Sequence, residues 1–213
     1  MALRPALLSA TRLLIDETDS TNSHFTDSQI YGFLNQAIRY LGVDVEWPIQ
    51  AAQATAVAEQ AVYTLPDDFI SLLDVYYDNN LLAIIDRKDL SAIRQDWQNA
   101  VSGLPLYCYK SDNAKMGLYP KPSSTYTANS EVIQIQYVKV PPDLADDVTA
   151  PDLHSAFHDC LPFYASFLCE KSMGNLKASD HDMNLYELHK KRLTSKVQRF
   201  SDDGLRFKWA GKY

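Results

Sequence analysis

Glycine is scarce in this chain. Seven glycines are scattered over 213 residues, so no glycine-rich loop can cradle a phosphate on backbone amides. Cysteine is also sparse. Cys108, Cys160 and Cys169 are an odd count without close pairing, which argues against a disulfide framework and fits a reducing compartment. Long apolar runs are missing: nothing approaches the roughly 20 residues that span a bilayer. The short apolar run within Met1–Leu8 is too brief for a secretory core followed by a cleavage site. The expectation is a soluble protein, made in a cytoplasm and without membrane contact.

Catalytic signatures are lacking too. Nucleophilic catalysis needs a Ser or Cys beside a base that a third group orients, and no nucleophile elbow or Cys box surrounds any candidate. His154 and His158 stand four apart on an expected helix, the spacing that sets two imidazoles on one face. Ser155 follows His154 where a metallohydrolase motif needs Glu, and no third ligand stands at a recognised spacing. Ordinary helix-surface histidines are the plainer reading. Asp180, His181 and Asp182 read as a helix start, where acidic residues favour the positive dipole end. No catalytic residue, metal ligand or cofactor is assigned, and a metal-dependent hydrolase using His154 and His158 is retained only as the competing class.

What the chain does have is aromatic and charge asymmetry. Eight of its thirteen tyrosines fall between Tyr63 and Tyr137, and aromatics suit pleated surfaces and interfaces. Net charge is −7, but Lys190–Tyr213 holds eight Lys/Arg against two Asp/Glu. That end is therefore +6 and the remainder −13. An acidic body with a basic end points to an acidic partner for that end; a solvated helix face and tail is the alternative.

Periodicity predicts a helix over about 3–15 and a loop to Phe25. Thr26-Asp27-Ser28-Gln29 forms a capping box, opening a helix with the stripe Ile30, Phe33, Leu34, Ala37, Ile38, Leu41 that Gly42 should end. Strands are expected over 51–65, 71–77 and 81–85, the last two around an Asp78-Asn79-Asn80 loop. A short helix capped by Asp86 or Asp89 should reach about Trp97. Gly103–Pro122 reads as a hairpin with Ser111-Asp112-Asn113 as its turn, displaying Tyr107, Tyr109 and Tyr119. A half-buried strand follows over about 132–140, then an acidic, Pro-bounded linker.

A helix is expected from about His154 to Met173, with Pro162 kinking it or marking its first turn. Gly174 should end it, and Ser179 should cap a last helix to about Phe200. That helix carries the seam Met183, Tyr186, Lys190, Leu193, Val197, Phe200. The closing residues Leu205, Arg206, Phe207, Lys208, Trp209, Lys212 and Tyr213 interleave cations with aromatic and apolar groups. Such a tail can stack on nucleic acid or anchor in an acidic protein groove. A protein partner is favoured, because the −13 of the body repels a polyanion.

The expected fold is α+β, with N- and C-terminal helices forming one bundle around an inserted antiparallel sheet of five to six strands that projects as a lobe. The divisions are 1–48 and 143–200 for the bundle, 49–142 for the lobe and 201–213 for a docking tail.

The order of short motifs carries a resemblance. A capped helix with Leu34-Asn35-Gln36-Ala37 is followed by Tyr63-Thr64-Leu65-Pro66-Asp67-Asp68-Phe69 and then Gly103-Leu104-Pro105-Leu106-Tyr107. Next come Leu118-Tyr119-Pro120-Lys121-Pro122, Ile135-Gln136-Tyr137 and a two-helix end. Over about residues 7–200 this resembles the phage head–tail connector, or adaptor, family. The resemblance implies a non-enzymatic virion protein, synthesised in the host cytoplasm. Such proteins form a ring, typically of twelve subunits, beneath the portal protein. The ring joins the DNA-filled head to a tail or nozzle protein and lets DNA pass without sequence-specific binding. It further implies that Leu205–Tyr213 docks on the portal. A tail-tube or tail-terminator ring component is the neighbouring reading. Tyr107, Tyr109 and Tyr119 serve either the lobe's core or an interface with another virion protein.

Overall fold

The computed structural model describes residues 4–17, 23–145 and 150–204, with side chains to residue 195. The chain divides into two compact units, Met1–Trp47 with Pro141–Tyr213, and Pro48–Val140. The fold is α+β.

The first unit is helical: α1 (Arg4–Leu14), α2 (Asp27–Asp44), α4 (Leu161–Ser172) and α5 (Leu176–Gly204). The capping box forms as its residues require: Thr26 Oγ1 accepts from the Gln29 amide, and the Gln29 side chain accepts from the Thr26 amide. Ile30, Leu34, Ile38 and Leu41 then fall on one face and are fully buried, each stabilising the fold by about 1.5–3 kcal/mol relative to exposure. Helix α4 packs against α1, α2 and α5, and Phe157, Cys160, Leu161, Ala165 and Cys169 complete the same core. Buried Arg12 of α1 ties the entry to α2, donating to Asp27 Oδ1 (2.5 Å) and the Phe25 carbonyl (3.1 Å).

Three helix-end expectations are corrected and one holds. Gly42 does not end α2, which continues to Asp44; the glycine is there because Pro141 and the Trp47 carbonyl crowd it. The helix expected from His154 is a 3-10 segment, Ser155–Cys160, followed by α4 with Pro162 in its first turn, where a missing amide costs nothing. Gly174 (φ +81°) does stop α4, but the chain re-enters helix by Leu176. Ser179 is therefore inside α5, donating to the Phe167 carbonyl at 3.4 Å rather than capping.

The second unit is a two-sheet sandwich, not one sheet of five to six strands. Strands β1 (Ile49–Thr55), β8 (Val132–Lys139), β3 (Phe69–Tyr77) and β4 (Asn80–Leu81) form one sheet in that order. Strands β2 (Val62–Thr64), β7 (Lys115–Tyr119), β6 (Tyr107–Asp112) and β5 (Ala83–Ile84) form the other. All pairings are antiparallel except β5 with β6. Val75, Tyr77, Ile133, Ile135 and Tyr137 of one sheet meet Cys108, Met116 and Leu118 of the other.

The hairpin between β3 and β4 turns on two residues, Asp78 and Asn79, both at positive φ (+47° and +63°), the geometry that matches strand twist. The turn between β6 and β7 is Asn113-Ala114. It shares only Asn113 with the expected Ser111–Asn113, because Ser111 sits in a register shift and Asp112 Oδ1 accepts from the Ala114 amide.

Candidate functional site

Alternation on β6 and β7 sends Cys108, Met116 and Leu118 into the sandwich and Tyr107, Tyr109 and Tyr119 to the opposite face. Helix α3 (Arg87–Ile93) and the 3-10 turn Trp97–Asn99 cover that face. Trp97 meets Tyr109 edge-on at 5.0 Å and Tyr119 at 6.2 Å. Tyr107 stacks on Tyr119 at 6.3 Å. Tyr109 and Tyr119 are buried around Leu90, and Tyr107 is half-buried. Tyr109 and Tyr119 thus pack within the second unit's own interior. Burial raises the Tyr109 hydroxyl pKa, and the Arg87 guanidinium partly offsets that rise.

The β7 register sets Gly117 opposite Tyr109, and the tyrosine ring lies across the glycine, 2.1 Å from where a Cβ would stand. Beside these rings is a cleft of about 200 Å³ edged by Arg87, Trp97, Tyr109 and Lys121. The Arg87 guanidinium lies 5.9 Å from the Trp97 ring and 6.0 Å from the Tyr109 ring, and Lys121 pairs with Glu59 at 2.7 Å.

A second cluster, missed in the sequence, lies in the helical unit. Tyr40 stacks on Tyr164 at 4.9 Å, and Tyr186 lies 5.1 Å from Tyr164. Lys190, which interrupts the α5 seam as a sequence, caps these rings at 5.1 Å from Tyr186 and bonds Asp44 (2.6 Å) and Glu187 (2.8 Å). Burial alone would lower its pKa; the bonds to both carboxylates outweigh burial and raise it. Within the seam, Tyr186 is fully buried, and Met183 and Leu193 pack on the core; the side chains of Val197 and Phe200 lie outside those described.

The remaining sequence candidates resolve into local roles. His154 Nδ1 accepts from the Ala156 amide at the 3-10 start, and its ring meets Trp47 edge-on. His158 is 1% exposed, with Nε2 3.2 Å from the Leu153 carbonyl. Among the described residues no group of three His, Cys, Asp or Glu converges on a metal position. Asp182 is buried and accepts from Ser166 Oγ at 2.5 Å. All three cysteines are buried and free. Burial pushes the Cys108 and Cys169 thiols up to about 12 and, with Asp159 adding to it, Cys160 to about 11. The docking candidates Leu205, Arg206, Phe207, Lys208, Trp209, Lys212 and Tyr213 lie outside the described residues.

These features define a class: an α+β protein whose helical unit is interrupted in the chain by a β-sandwich. The model of the SU10 adaptor protein family matches residues 6–201, and the chain belongs to that family. It is thus a phage adaptor, a structural protein of the virion. No curated protein matches it. No helix among the described residues is long and apolar enough to cross a membrane.

Proposed function

We propose that this chain is a head–tail adaptor. Copies assemble as a ring, of about twelve if it follows the pattern the resemblance implies, beneath the portal. The ring joins the DNA-filled head to the tail and leaves a channel for DNA. The observation that carries this reading is the adaptor-family match across residues 6–201. The charge distribution supports it: a body at −13 repels the duplex it would surround, so DNA can slide without the phosphate contacts that give affinity. The basic-aromatic end, Leu205–Tyr213, supplies the portal contact, since Arg, Trp and Tyr are the anchors interfaces favour. The role is structural, with no catalytic step.

The test is attachment. Purified full chain is mixed with portal-bearing heads lacking tails, beside a variant truncated after Gly204. The full chain is expected to bind and form a ring under the portal, and the truncated chain to remain folded and unbound. Binding of the truncated chain at wild-type level would remove the tail from the portal contact. Failure of the full chain to bind heads would overturn the adaptor role.

A further inference from the structure

The two edges of the sandwich are unlike each other. At one edge lie β1 and β2, the end strands of the two sheets. Between them opens an uncharged, mostly apolar cleft of about 250 Å³ lined by Ala52, Ala54, Leu65, Met116, Ile133 and Ile135, with Gln53 and Thr64 also on its lining. Its origin is sequence-specific: Ala52 and Ala54 pair with Ile135 and Ile133 across the ladder. They share the inward face but are too small to fill it.

Strand β1 is also unguarded. It pairs regularly with β8 from Ile49 to Thr55 without a register shift, six of its seven residues are exposed, and none is charged. Its outer backbone edge pairs with no other strand among the described residues. Natural edges of this length are normally blunted by charge, proline or a bulge.

At the opposite edge the chain passes from β4 to β5 through buried Leu82, closing the sandwich there. This edge presents Leu81 (62% exposed) and Ile84 (45% exposed). The run Asn79–Ile85 is also free of charge.

We infer that in the ring the β4–β5 edge of one subunit seats Leu81 and Ile84 against the β1/β2 cleft of the next copy. A ring needs two different faces of one subunit to match, and the lobe carries an uncharged apolar projection and an uncharged, mostly apolar recess on opposite edges. The other available occupant, a tail protein, would leave the projecting edge without a complement. The inference rests on the ring reading of the preceding subsection.

The test uses the full chain on portal-bearing heads, with bound copies counted per head. Ala54→Lys puts a cation in the cleft and Leu81→Asp an anion on the β4–β5 edge; circular dichroism checks that each folds. Each variant alone is expected to lose ring occupancy by about tenfold or more, because every contact buries an unpaired charge. An equal mixture should recover, since alternating subunits then make only wild-type contacts and Lys–Asp contacts, and the double variant should recover as well. If wild type forms rings and both single variants form them equally well, the edge contact is overturned and the ring stands. If the single variants form rings but fail to accept tails, the occupant is a tail protein and the proposal is equally overturned. If wild type binds without forming a ring, the ring reading fails and this inference with it.

Discussion

Helix α2 contains two glycines, and the same substitution is expected to move stability in opposite directions at each. Gly32 is exposed in mid-helix, and a Cβ built there meets nothing within 4 Å. Gly32→Ala should therefore stabilise by about 1 kcal/mol, the helix-propensity difference between the two residues. Gly42 has the same intrinsic gain available, yet its Cβ would stand 2.5 Å from Pro141 Cγ and 2.8 Å from the Trp47 carbonyl oxygen. Carbon atoms in contact prefer about 3.5–4.0 Å, and neither a proline ring nor a backbone oxygen yields as a flexible side-chain tip does. An overpacking cost of about 1–3 kcal/mol set against a gain of about 1 kcal/mol leaves Gly42→Ala destabilising by up to about 2 kcal/mol. For a chain of this size each kcal/mol moves Tm by about 2–4 °C. Thermal unfolding followed by helical circular dichroism should show Gly32→Ala melting a few degrees above wild type and Gly42→Ala several degrees below. Equal stabilisation by both would refute the claim that Gly42 is held by close approach of the segments that flank the sandwich.

Gly117→Ala should cost about 1–3 kcal/mol, because its methyl would displace the Tyr109 ring at 2.1 Å, and the fluorescence of Trp97 should shift as its edge-on partner moves; an unchanged spectrum would contradict the packing. Thiol reagent should label no cysteine in the native protein and three after denaturation, since all three are buried with raised pKa values; rapid native labelling of any one counts against its burial. The pKa of His158 is lowered, chiefly by burial, so over the pH range just below its ordinary value the unfolded chain binds the extra proton. Its contribution is therefore fully present above the unfolded value near 6.5 and is lost as pH falls through the lower folded value. Stability measured by urea unfolding should decline from neutral to mildly acidic pH. His158→Asn, which cannot take up that proton, should flatten the decline; an identical slope in the variant would assign the dependence to other groups.

Local chemistry was legible wherever cause and effect lie close in the chain. Thr26 and Gln29 cap α2 because both partners of the box are three residues apart, and Gly174 stops α4 because only the local backbone decides it. The alternation of Tyr107 and Tyr109 with Cys108 gave two faces, but not what covers each. That depended on Leu90 of α3 and Trp97 of the 3-10 turn after it, two short elements whose burial has no marker in their own residues. The division into two sheets was hidden for a related reason. Glu59 turns at φ +63° between β1 and β2 without glycine or proline, and Leu82 is all that separates β4 from β5. Two short strands therefore read as one in both places. Gly42 read as a helix stop because Pro141, which crowds it, lies a hundred residues away. Lys190 read as a fault in the α5 seam because Asp44 and the Tyr40 ring, which receive it together with Tyr186 of its own helix, come from α2.

We propose that this chain works as a ring at the head–tail junction. Electron microscopy of tail-less, portal-bearing heads incubated with the purified full chain tests it most directly. A closed ring of additional density under the portal, with an open axial channel, is expected. Heads that bind no density, or density on the portal axis that blocks the channel, would contradict it.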